Sequence, residues 1–273
     1  MLELDYWSRK GTTVLNIESK VRLNNGTEMP LFGLGTYQSP DGQIVYDAVR
    51  YALKFGYRHI DTAKYYGNEE SVGRAIRDSG VAREQIFVTT KLWPIDAINA
   101  EKAFETSFNK LNIGYIDLYL IHWPVPGTVK KNWQKMEKLY ESGKIKAIGV
   151  SNYSIQNLKT TLSVAKIKPA VNQVKCSPYN YNPKLHDFCK ENGIVMEAYS
   201  PLTRGKKLDD PRLIEIAKKY EVTTAQVLLR WCIQKGIPTI PKSVHNRRIA
   251  KNADIFDFEL SETDILKLDS FAE

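Results

Sequence analysis

Short apolar runs alternate with longer amphipathic stretches along this chain, and from Leu31 onward the alternation repeats eight times. The runs are LFGLGTY, RHIDTA, IFVTTKLW, IDLYLIHWP, IKAIGVSNY, AVNQVKC, IVMEAYS and IPTIPKS. The stretches between them have helical period, and the first carries one apolar stripe at Val45, Ala48, Val49, Ala52 and Leu53. Strands that alternate with helices predict a parallel sheet, because a parallel connection needs a crossover. Eight repeats close naturally into a barrel, so we predict an α/β fold of the (β/α)8 TIM barrel class.

An open, doubly wound sheet is the alternative architecture for this pattern. Such a sheet would carry GxGxxG directly after its first strand if it bound a dinucleotide. The glycine segment GLGTYQS at 33–39 does not fit that spacing and leads into no immediate helix. The barrel is therefore favoured, and we predict a single domain over residues 1–273 without a linker.

Shorter signals predict the ends of individual elements. The sequence KVRLNNGTEMP predicts a β-hairpin around an Asn-Gly turn, after an N-terminal extension of residues 1–20. The sequence SETDILKLDSF predicts an extra C-terminal helix. Asn68 is a predicted helix N-cap, because acidic residues fill the turn after it. Capping boxes are predicted at two further helix starts, Thr223 with Gln226 and Ser261 with Asp264.

Composition and charge limit the classes of partner. The chain has 273 residues, of which 42% are hydrophobic and 26% charged, as is typical of a globular protein with a large core. The net charge of +8 suits an anionic ligand, but the basic residues are interleaved with acids, so we expect no nucleic-acid partner. Cys176, Cys189 and Cys232 have no metal or redox spacing, which predicts reduced thiols and no metal site. The segment MLELDYWSRKG has no apolar core of a leader or anchor, so we expect a cytoplasmic protein without a membrane partner.

Four ionisable residues stand where apolar runs end. Asp61 ends the second run and Tyr66 follows it, while Lys91 and His122 lie near the ends of the third and fourth runs. Reactive residues of barrels lie at the carboxyl ends of the strands, so neighbouring strands would bring these side chains together. A phenol, with an ordinary pKa of about 10, needs stabilisation of its phenolate to act as an acid near neutrality. Lys91 can supply it, Asp61 can hold Lys91 charged, and His122 can orient a substrate oxygen or join the proton relay.

Several motifs occur in one order along the chain: GYRHIDTAKYYGNEESVG, TTKLW, LYLIHWP, IGVSNY, NQV, YSPL and IPKSVHNRRIAKN. In this order and at this spacing they resemble the aldo-keto reductase superfamily, from about Val21 to the C-terminus. The resemblance implies an NADP-dependent oxidoreductase whose (α/β)8 barrel transfers hydride from NADPH to an aldehyde or ketone. It also implies that Tyr66 is the general acid of a catalytic tetrad. The chain looks closest to compact relatives of the prostaglandin F synthase and diketogluconate reductase type.

The resemblance further implies a site for NADPH/NADP+ at the ends of the runs. Ser151, Asn152 and Gln173 would bind the nicotinamide carboxamide. Tyr199 would stack on the ring, although it can also be packing at the barrel top. Barrels commonly bind phosphate after the last strands, at the start of a short helix, and a lysine and an arginine there suit the 2′-phosphate of NADPH. The whole predicted cofactor set is Gly35, Thr36, Asp61, Ser151, Asn152, Gln173, Tyr199, Ser200, Leu202, Lys242, Ser243, Arg248 and Asn252.

One residue near this site differs from the common family pattern, and the role of one basic loop stays open. Many relatives have glutamate directly before the asparagine of this last motif, where this chain has Lys251 before Asn252. The usual acceptor for the adenine amino group is therefore absent, and Asn252 would serve alone. The basic loop Arg204–Lys207 is either a contact to the pyrophosphate or a solvent-exposed turn.

The expected substrate pocket is aromatic and open. By resemblance its residues are Tyr37, Tyr65, Trp93, His122 and Trp123. Aromatic walls suit apolar or flat carbonyl compounds, and the short segments after His122 and at the C-terminus leave the pocket uncovered. We expect a monomer whose partner is a small-molecule carbonyl substrate.

Other interpretations of the same residues remain open at this point. His122 can be a satisfied core histidine, and Asp61 with Lys91 can be a structural ion pair. A non-enzymatic nucleotide-binding protein on the same barrel is one alternative function, and a lyase that forms a Schiff base through Lys91 is another. The four residues at matching strand ends favour proton-transfer chemistry.

Overall fold

The strands lie on the predicted apolar runs. The computed structural model of the chain describes residues 15–272, so residues 1–14 of the predicted N-terminal extension and residue 273 lie outside the described residues. The strands are β1 Lys20–Arg22, β2 Glu28–Pro30, β3 Leu34–Gly35, β4 His59–Asp61, β5 Phe87–Leu92, β6 Ile116–Ile121, β7 Ile145–Ser151, β8 Val171–Lys175 and β9 Val195–Tyr199. Strands β3 to β9 form one parallel sheet in chain order. Every position of β5 and β6 is buried, as expected for strands that are covered on both faces.

The eighth apolar run closes this sheet into a barrel without forming a continuous strand. Thr239 bridges to Ala198 of β9 on one side and to Phe32, just before β3, on the other. The Ala198 amide also donates to Pro238 O at 2.8 Å. Pro238 and Pro241 have no amide proton, so the run cannot form a full ladder. The predicted (β/α)8 barrel is confirmed.

Helices cover the outside of the barrel. They are α1 Gln43–Phe55, α2 Glu69–Arg77, α3 Ala100–Leu111, α4 Val129–Tyr140, α5 Ile155–Leu162, α6 Pro183–Glu191, α7 Pro211–Lys219, α8 Thr224–Gln234, α9 Asn246–Ala253 and α10 Glu262–Asp269. The whole apolar stripe predicted for α1 is buried. The last helix, α10, is the predicted C-terminal helix. Among residues 15–272, no helix has both the length and the apolar character that crossing a membrane requires.

The predicted hairpin lies across the amino-terminal end of the barrel. Strands β1 and β2 pair antiparallel, and Gly26 in their turn has a φ of 88°, which glycine adopts without strain. Asn24 donates a side-chain hydrogen bond to Pro169 O, just before β8. Asn25 donates another to Lys146 O, near the start of β7. The hairpin therefore leaves the opposite end, where the strands finish, accessible.

The predicted capping boxes differ in outcome. Thr223 and Gln226 form the complete box at the start of α8, as predicted. At α10 the Ser261 hydroxyl accepts from the Asp264 amide, which is the first half of a box. The Ser261 amide donates to Tyr220 Oη at 2.8 Å, so the second half is absent because a tyrosine from another helix end replaces the Asp264 carboxylate.

Asn68 stands at the start of α2, but its side chain does not cap the helix. Its Oδ1 accepts from Thr62 Oγ1 at 2.8 Å. Its Nδ2 donates to Thr36 O at 3.0 Å and to Ser39 O at 3.1 Å. The predicted side-chain cap is therefore wrong, because a fully buried amide that satisfies two carbonyls from another loop competes successfully with the helix end. Asn68 instead ties the loop after β3 to the loop after β4.

Candidate active site

A cavity of 590 Å³ opens at the carboxyl end of the barrel. Most of the predicted site residues line it: Gly35, Tyr37, Asp61, Tyr65, Tyr66, Trp93, His122, Trp123, Ser151, Asn152, Gln173, Tyr199, Ser200, Leu202 and Lys242. Gly35 is required at the seam beside the eighth run, since a Cβ there would lie 2.8 Å from Ile240 O. Strand ends that are far apart in sequence thus meet at one cavity, as the barrel predicts.

Lys91 joins two of these residues from beneath the cavity. Its ammonium Nζ donates to both carboxylate oxygens of Asp61 at 2.7 Å and to Thr62 O at 2.9 Å. The same Nζ lies 3.1 Å from Tyr66 Oη. The Lys91 side chain has no exposed surface. One fully buried cation therefore connects a carboxylate to a phenol.

Burial is the largest influence on the pKa of each of these groups. It raises the pKa of Asp61, and the hydrogen-bonded Lys91 and Gln173 oppose it. Burial lowers the pKa of Lys91, but Asp61 and Tyr66 together outweigh burial and the pKa is raised. Because a protonated Asp61 would leave a buried ammonium without a counter-ion, the pair is ionised. Burial raises the pKa of Tyr66 to about 12 against the opposing charge of Lys91, so the phenol is protonated at neutral pH.

His122 stands beside the phenol in an aromatic setting. Its ring lies 5.7 Å from that of Tyr66 and 5.2 Å from that of Trp93, both edge to face. Burial, with the charge of Lys91, lowers the pKa of His122 to about 3. The imidazole is therefore neutral throughout the physiological range, and its buried Nδ1 has no hydrogen-bond partner within residues 15–272.

Asn152, at the end of β7, fixes the other side of the cavity. Its Nδ2 donates to His122 O at 3.1 Å and to Ser151 Oγ at 3.0 Å. Its Oδ1 accepts from the Tyr199 hydroxyl at 2.8 Å. Asn152 has a φ of 62°, a left-handed conformation that asparagine tolerates better than most residues. The hydroxyl contact holds one edge of the Tyr199 ring.

Glu197 of β9 is a site residue that the sequence analysis missed. Gln173 Nε2 donates to Asp61 Oδ2 and to Glu197 Oε2, each at 2.8 Å. Burial, with the nearby Asp61 charge, raises the pKa of Glu197 to about 8, so this carboxyl is protonated at neutral pH. Its Oε1 lies 3.7 Å from Nδ1 of His59. A single acid inside the apolar run IVMEAYS was the available signal.

Aromatic rings form the walls of the cavity. Tyr65 and Trp93 stack with centroids 4.1 Å apart and planes at 13°. Tyr37 packs on Tyr66 with centroids 5.0 Å apart. Tyr65 is 54% exposed and Trp123 is 44% exposed, so these two rings form a rim that solvent reaches. All five residues predicted for the substrate pocket line this cavity, and their role in substrate binding stays a prediction.

Basic residues surround the part of the site after the eighth run. Lys242 lines the cavity, and burial lowers its pKa. The start of α9 carries Arg247 and Arg248 in its first turn, both exposed, and the His245 side chain does not cap it. Positive charge at a helix amino terminus is unfavourable without an anion, so this end suits an anionic group. Arg204 lines the cavity with its guanidinium 5.7 Å from the centre of the Tyr37 ring.

Four predicted cofactor residues lie outside the cavity lining. Thr36 is buried and donates its hydroxyl to Asp61 O at 2.9 Å. Ser243 accepts from the His245 amide at 3.1 Å, Arg248 lies on α9, and Asn252 is buried near the end of that helix. Lys251, in the position where many relatives have glutamate, forms an exposed ion pair with Asp254. Thr36 directly follows β3, whereas the other three residues lie after the eighth run, before or on α9.

The comparison with known families decides the classification of this barrel. A model described as "Aldo/keto reductase family" matches residues 31–273. The chain belongs to the aldo/keto reductase family. This family membership makes it an oxidoreductase. No group of three metal-ligating side chains occurs within residues 15–272 of this aldo/keto reductase.

Relatives of this aldo/keto reductase include proteins that are named as enzymes. The glyoxal reductase of Bacillus subtilis is 49% identical, with 93% of each chain covered. The glycerol 2-dehydrogenase (NADP(+)) of Saccharomyces cerevisiae is 44% identical, with 87% of this chain and 88% of that protein covered. A solved aldo-keto reductase from a Medee basin deep-sea metagenome library is 47% identical and superposes with a TM-score of 0.88 over 93% of this chain and 95% of its own.

The cavity of this aldo/keto reductase also has lining residues that the sequence analysis did not assign: Gln38, Pro201, Ile240 and Pro241. Gln38 and Pro201 directly follow predicted site residues, and Ile240 and Pro241 directly precede Lys242. Their side chains have no distinctive chemistry that would single them out in a sequence. The basic loop at 204–207, which the sequence left open between a pyrophosphate contact and a solvent-exposed turn, is exposed, and its Arg204 lines the cavity.

Proposed function

We propose that this protein reduces aldehydes and ketones to alcohols with NADPH, and that Tyr66 is the general acid. The observation that carries the proposal is the position of the Lys91 ammonium, which contacts the Asp61 carboxylate and the Tyr66 phenol at once. A carbonyl oxygen that gains hydride at its carbon also needs a proton. A protonated phenol at the cavity, with a cation beside it, is suited to donate that proton.

Tyr66 and His122 divide the work on the substrate oxygen. Tyr66 holds a proton at neutral pH, since its pKa is about 12. When it donates that proton, Lys91 stabilises the resulting phenolate, and Asp61 keeps Lys91 charged. His122 is neutral, so it orients the carbonyl oxygen by a hydrogen bond without competing as a strong acid.

The residues around the cavity fit a nicotinamide ring. The Gln173 amide is held by two carboxyl groups, and the Asn152 side chain is held by three hydrogen bonds. Both side chains are therefore oriented to hydrogen-bond the carboxamide of a nicotinamide. The Tyr199 ring, held at its hydroxyl, offers a flat face for stacking. A bound NADPH would supply the hydride. The residues of this chain would bind the ring, orient it and exclude water from it.

The preference for NADPH over NADH rests on charge at α9. Arg248 in its first turn and Lys242 at the cavity edge are cations where an additional phosphate would lie. Planar guanidinium groups bind phosphate through two parallel hydrogen bonds. The Saccharomyces cerevisiae relative is named for NADP(+), which supports the same cofactor here.

The contacts of Lys91 oppose the Schiff-base alternative. A Schiff base needs an uncharged amine that can reach a carbonyl carbon. The Lys91 amine has a raised pKa and no exposed surface, and its protons are directed at Asp61, Thr62 O and Tyr66. For this reason we propose reduction and not covalent catalysis through Lys91.

We also propose that the protein acts in the cytoplasm, as a monomer, on small carbonyl compounds.

The test is consumption of NADPH by the purified protein with a panel of aldehydes, ketones and quinones, including glyoxal because a relative is named for it. We expect carbonyl-dependent loss of the absorbance of reduced nicotinamide, faster with NADPH than with NADH. Binding of NADPH without turnover of any carbonyl would contradict the proposed reduction and favour a binding protein.

A further inference from the structure

The orientation of the Gln173 amide is determined by its two partners. Asp61 Oδ2 and Glu197 Oε2 both lie 2.8 Å from the same amide atom of Gln173. Both partners are acceptors in this contact: Asp61 is ionised, and Glu197 presents an oxygen of its carboxyl group. An NH2 group can donate to two acceptors, whereas an amide oxygen would be repelled by the ionised Asp61 carboxylate. The NH2 group of Gln173 therefore faces the carboxyl groups.

This orientation leaves the amide oxygen of Gln173 for the cavity. Gln173 lines the cavity, and its Oε1 has no hydrogen-bond partner among residues 15–272. Oε1 is not among the buried polar atoms without partners in that part of the chain, although only 1% of the Gln173 surface is exposed. An acceptor in this position suits the NH2 group of a carboxamide.

Glu197 has no other evident role in the described part of the chain. Its side chain is fully buried, and its only hydrogen bond within residues 15–272 is the one from Gln173. Its second oxygen faces Nδ1 of His59, which is also without a partner there.

We propose that Glu197 is a positioning residue for the cofactor. Together with Asp61 it takes both protons of the Gln173 NH2 group and so presents Gln173 Oε1 to the carboxamide of a bound nicotinamide. This inference rests on the proposed function, because it requires a nicotinamide in the cavity. Without Glu197, one amide proton would be buried without an acceptor, and the Gln173 side chain would be free to rotate away.

The groups that face Glu197 are consistent with a neutral acid in this position. His59 and Asp61 approach it from β4, Lys91 from β5 and Gln173 from β8. Burial, with the charge of Lys91, lowers the pKa of His59 to about 3 against a backbone contact to Pro30, so His59 is neutral, and its Nδ1 lies 3.7 Å from Glu197 Oε1, too far for a hydrogen bond. A protonated Glu197 can still present a carbonyl oxygen to Gln173.

The test compares two ligands that differ only in the nicotinamide. These are NADP+ and 2′-phospho-ADP-ribose, which is the same molecule without its nicotinamide, and the dissociation constant of each is measured by titration calorimetry. For Glu197→Met, which keeps most of the volume and removes the acceptor, we expect NADP+ to bind about tenfold more weakly, the effect of losing one well-placed hydrogen bond. Binding of 2′-phospho-ADP-ribose should stay within about twofold of wild type.

Two further variants keep the test decisive. Glu197→Asp retains the acid but withdraws the oxygen by one methylene, so it should show the same selective loss even if Glu197→Met does not fold. Glu197→Gln keeps an oxygen for Gln173, so it should restore NADP+ binding to within about twofold. Equal loss of both ligands in Glu197→Asp, no loss at all, or failure of Glu197→Gln to rescue would overturn the proposal.

The wild-type protein separates this inference from the proposed function. If it binds neither ligand, the cofactor assignment itself fails and the positioning role fails with it. If it binds both ligands with the same affinity, the phosphate site is correct but the carboxamide is not held, and only the positioning role of Glu197 is overturned.

Discussion

Single residues at the floor of the cavity carry most of the chemistry, and Lys91 is the one on which the others depend. Its ammonium is fully buried and is neutralised by Asp61 at 2.7 Å. Removing either member of such a pair leaves the other charge buried without compensation. The stability of the barrel and the acidity of Tyr66 are therefore both sensitive to position 91.

Lys91→Met should lower both stability and activity. We expect the free energy of unfolding in urea to fall by about 3–5 kcal/mol, because Asp61 becomes an unpaired buried carboxylate. We expect kcat/KM for carbonyl reduction to fall at least about 100-fold, because the phenolate of Tyr66 loses its cation. The double variant Asp61→Asn with Lys91→Met should recover stability but not activity. A stable single variant or an active double variant would show that the pair has a different role.

His122 gives a prediction about pH and stability. Its folded pKa is about 3, well below the ordinary value of 6.5. Between these two pKa values the unfolded chain binds a proton at His122 and the folded chain does not. The contribution of neutral His122 to the free energy of unfolding is therefore complete above the unfolded pKa and is lost as pH falls toward 3. His122→Asn should flatten the decline of unfolding free energy between pH 6 and 4 by about 1.4 kcal/mol per pH unit. His245→Asn replaces an exposed histidine and is the control, which should leave the slope of unfolding free energy against pH as in wild type. A wild-type slope in His122→Asn as well would contradict the lowered pKa of His122.

At the scale of elements, a substitution at Asn68, at the start of α2, can distinguish a helix cap from a residue that links two loops. Asparagine and aspartate are nearly equivalent as N-caps, whereas only asparagine can donate to two carbonyls. Asn68→Asp should therefore destabilise the fold by about 3 kcal/mol, because the Thr36 and Ser39 carbonyls would face a buried acid. Asn182→Asp is the matched control, since Asn182 does cap α6, and it should change stability by less than about 0.5 kcal/mol. Chemical denaturation measures both, and equal effects would mean that Asn68 acts only as a cap.

The positions of the elements were largely predictable from the sequence, but their side-chain partners were not. The spacing of apolar residues reflects which face of a helix or strand is buried. The strands and α1 of this barrel bury such faces, so their positions could be located from the sequence. Asn68 and Ser261 were misassigned in part because most of their competing partners lie 29 or more residues away in the chain, and only Thr62, six residues before Asn68, is nearer. Local patterns contain no information about such contacts.

The same limit applies to the site. Asp61, Lys91 and His122 were recognisable because an ionisable residue at the end of an apolar strand is uncommon. Glu197 lies in the middle of β9, three strands after β6, and its significance depends on Gln173 reaching both carboxyl groups, which only the closed barrel shows.

At the scale of the whole molecule, net positive charge and an uncapped basic helix start suit an anionic cofactor. Arg248→Ala should weaken NADPH binding about tenfold or more and leave NADH binding unchanged, because a charge-assisted hydrogen bond to the additional phosphate is lost. Lys251→Ala on the same helix is the control and should change neither, since Lys251 is paired with Asp254. The measurement is the ratio of kcat/KM for NADPH to that for NADH. An unchanged ratio in Arg248→Ala would place the phosphate elsewhere.

The most direct test of the proposed chemistry removes only one oxygen atom. Tyr66→Phe keeps the ring that packs on Tyr37 and removes the hydroxyl that contacts Lys91. With a carbonyl substrate of the wild-type protein and saturating NADPH, we predict that kcat falls by about 1,000-fold while the dissociation constant for NADPH stays within about twofold. A Tyr66→Phe protein that retains wild-type turnover would contradict the assignment of Tyr66 as the proton donor.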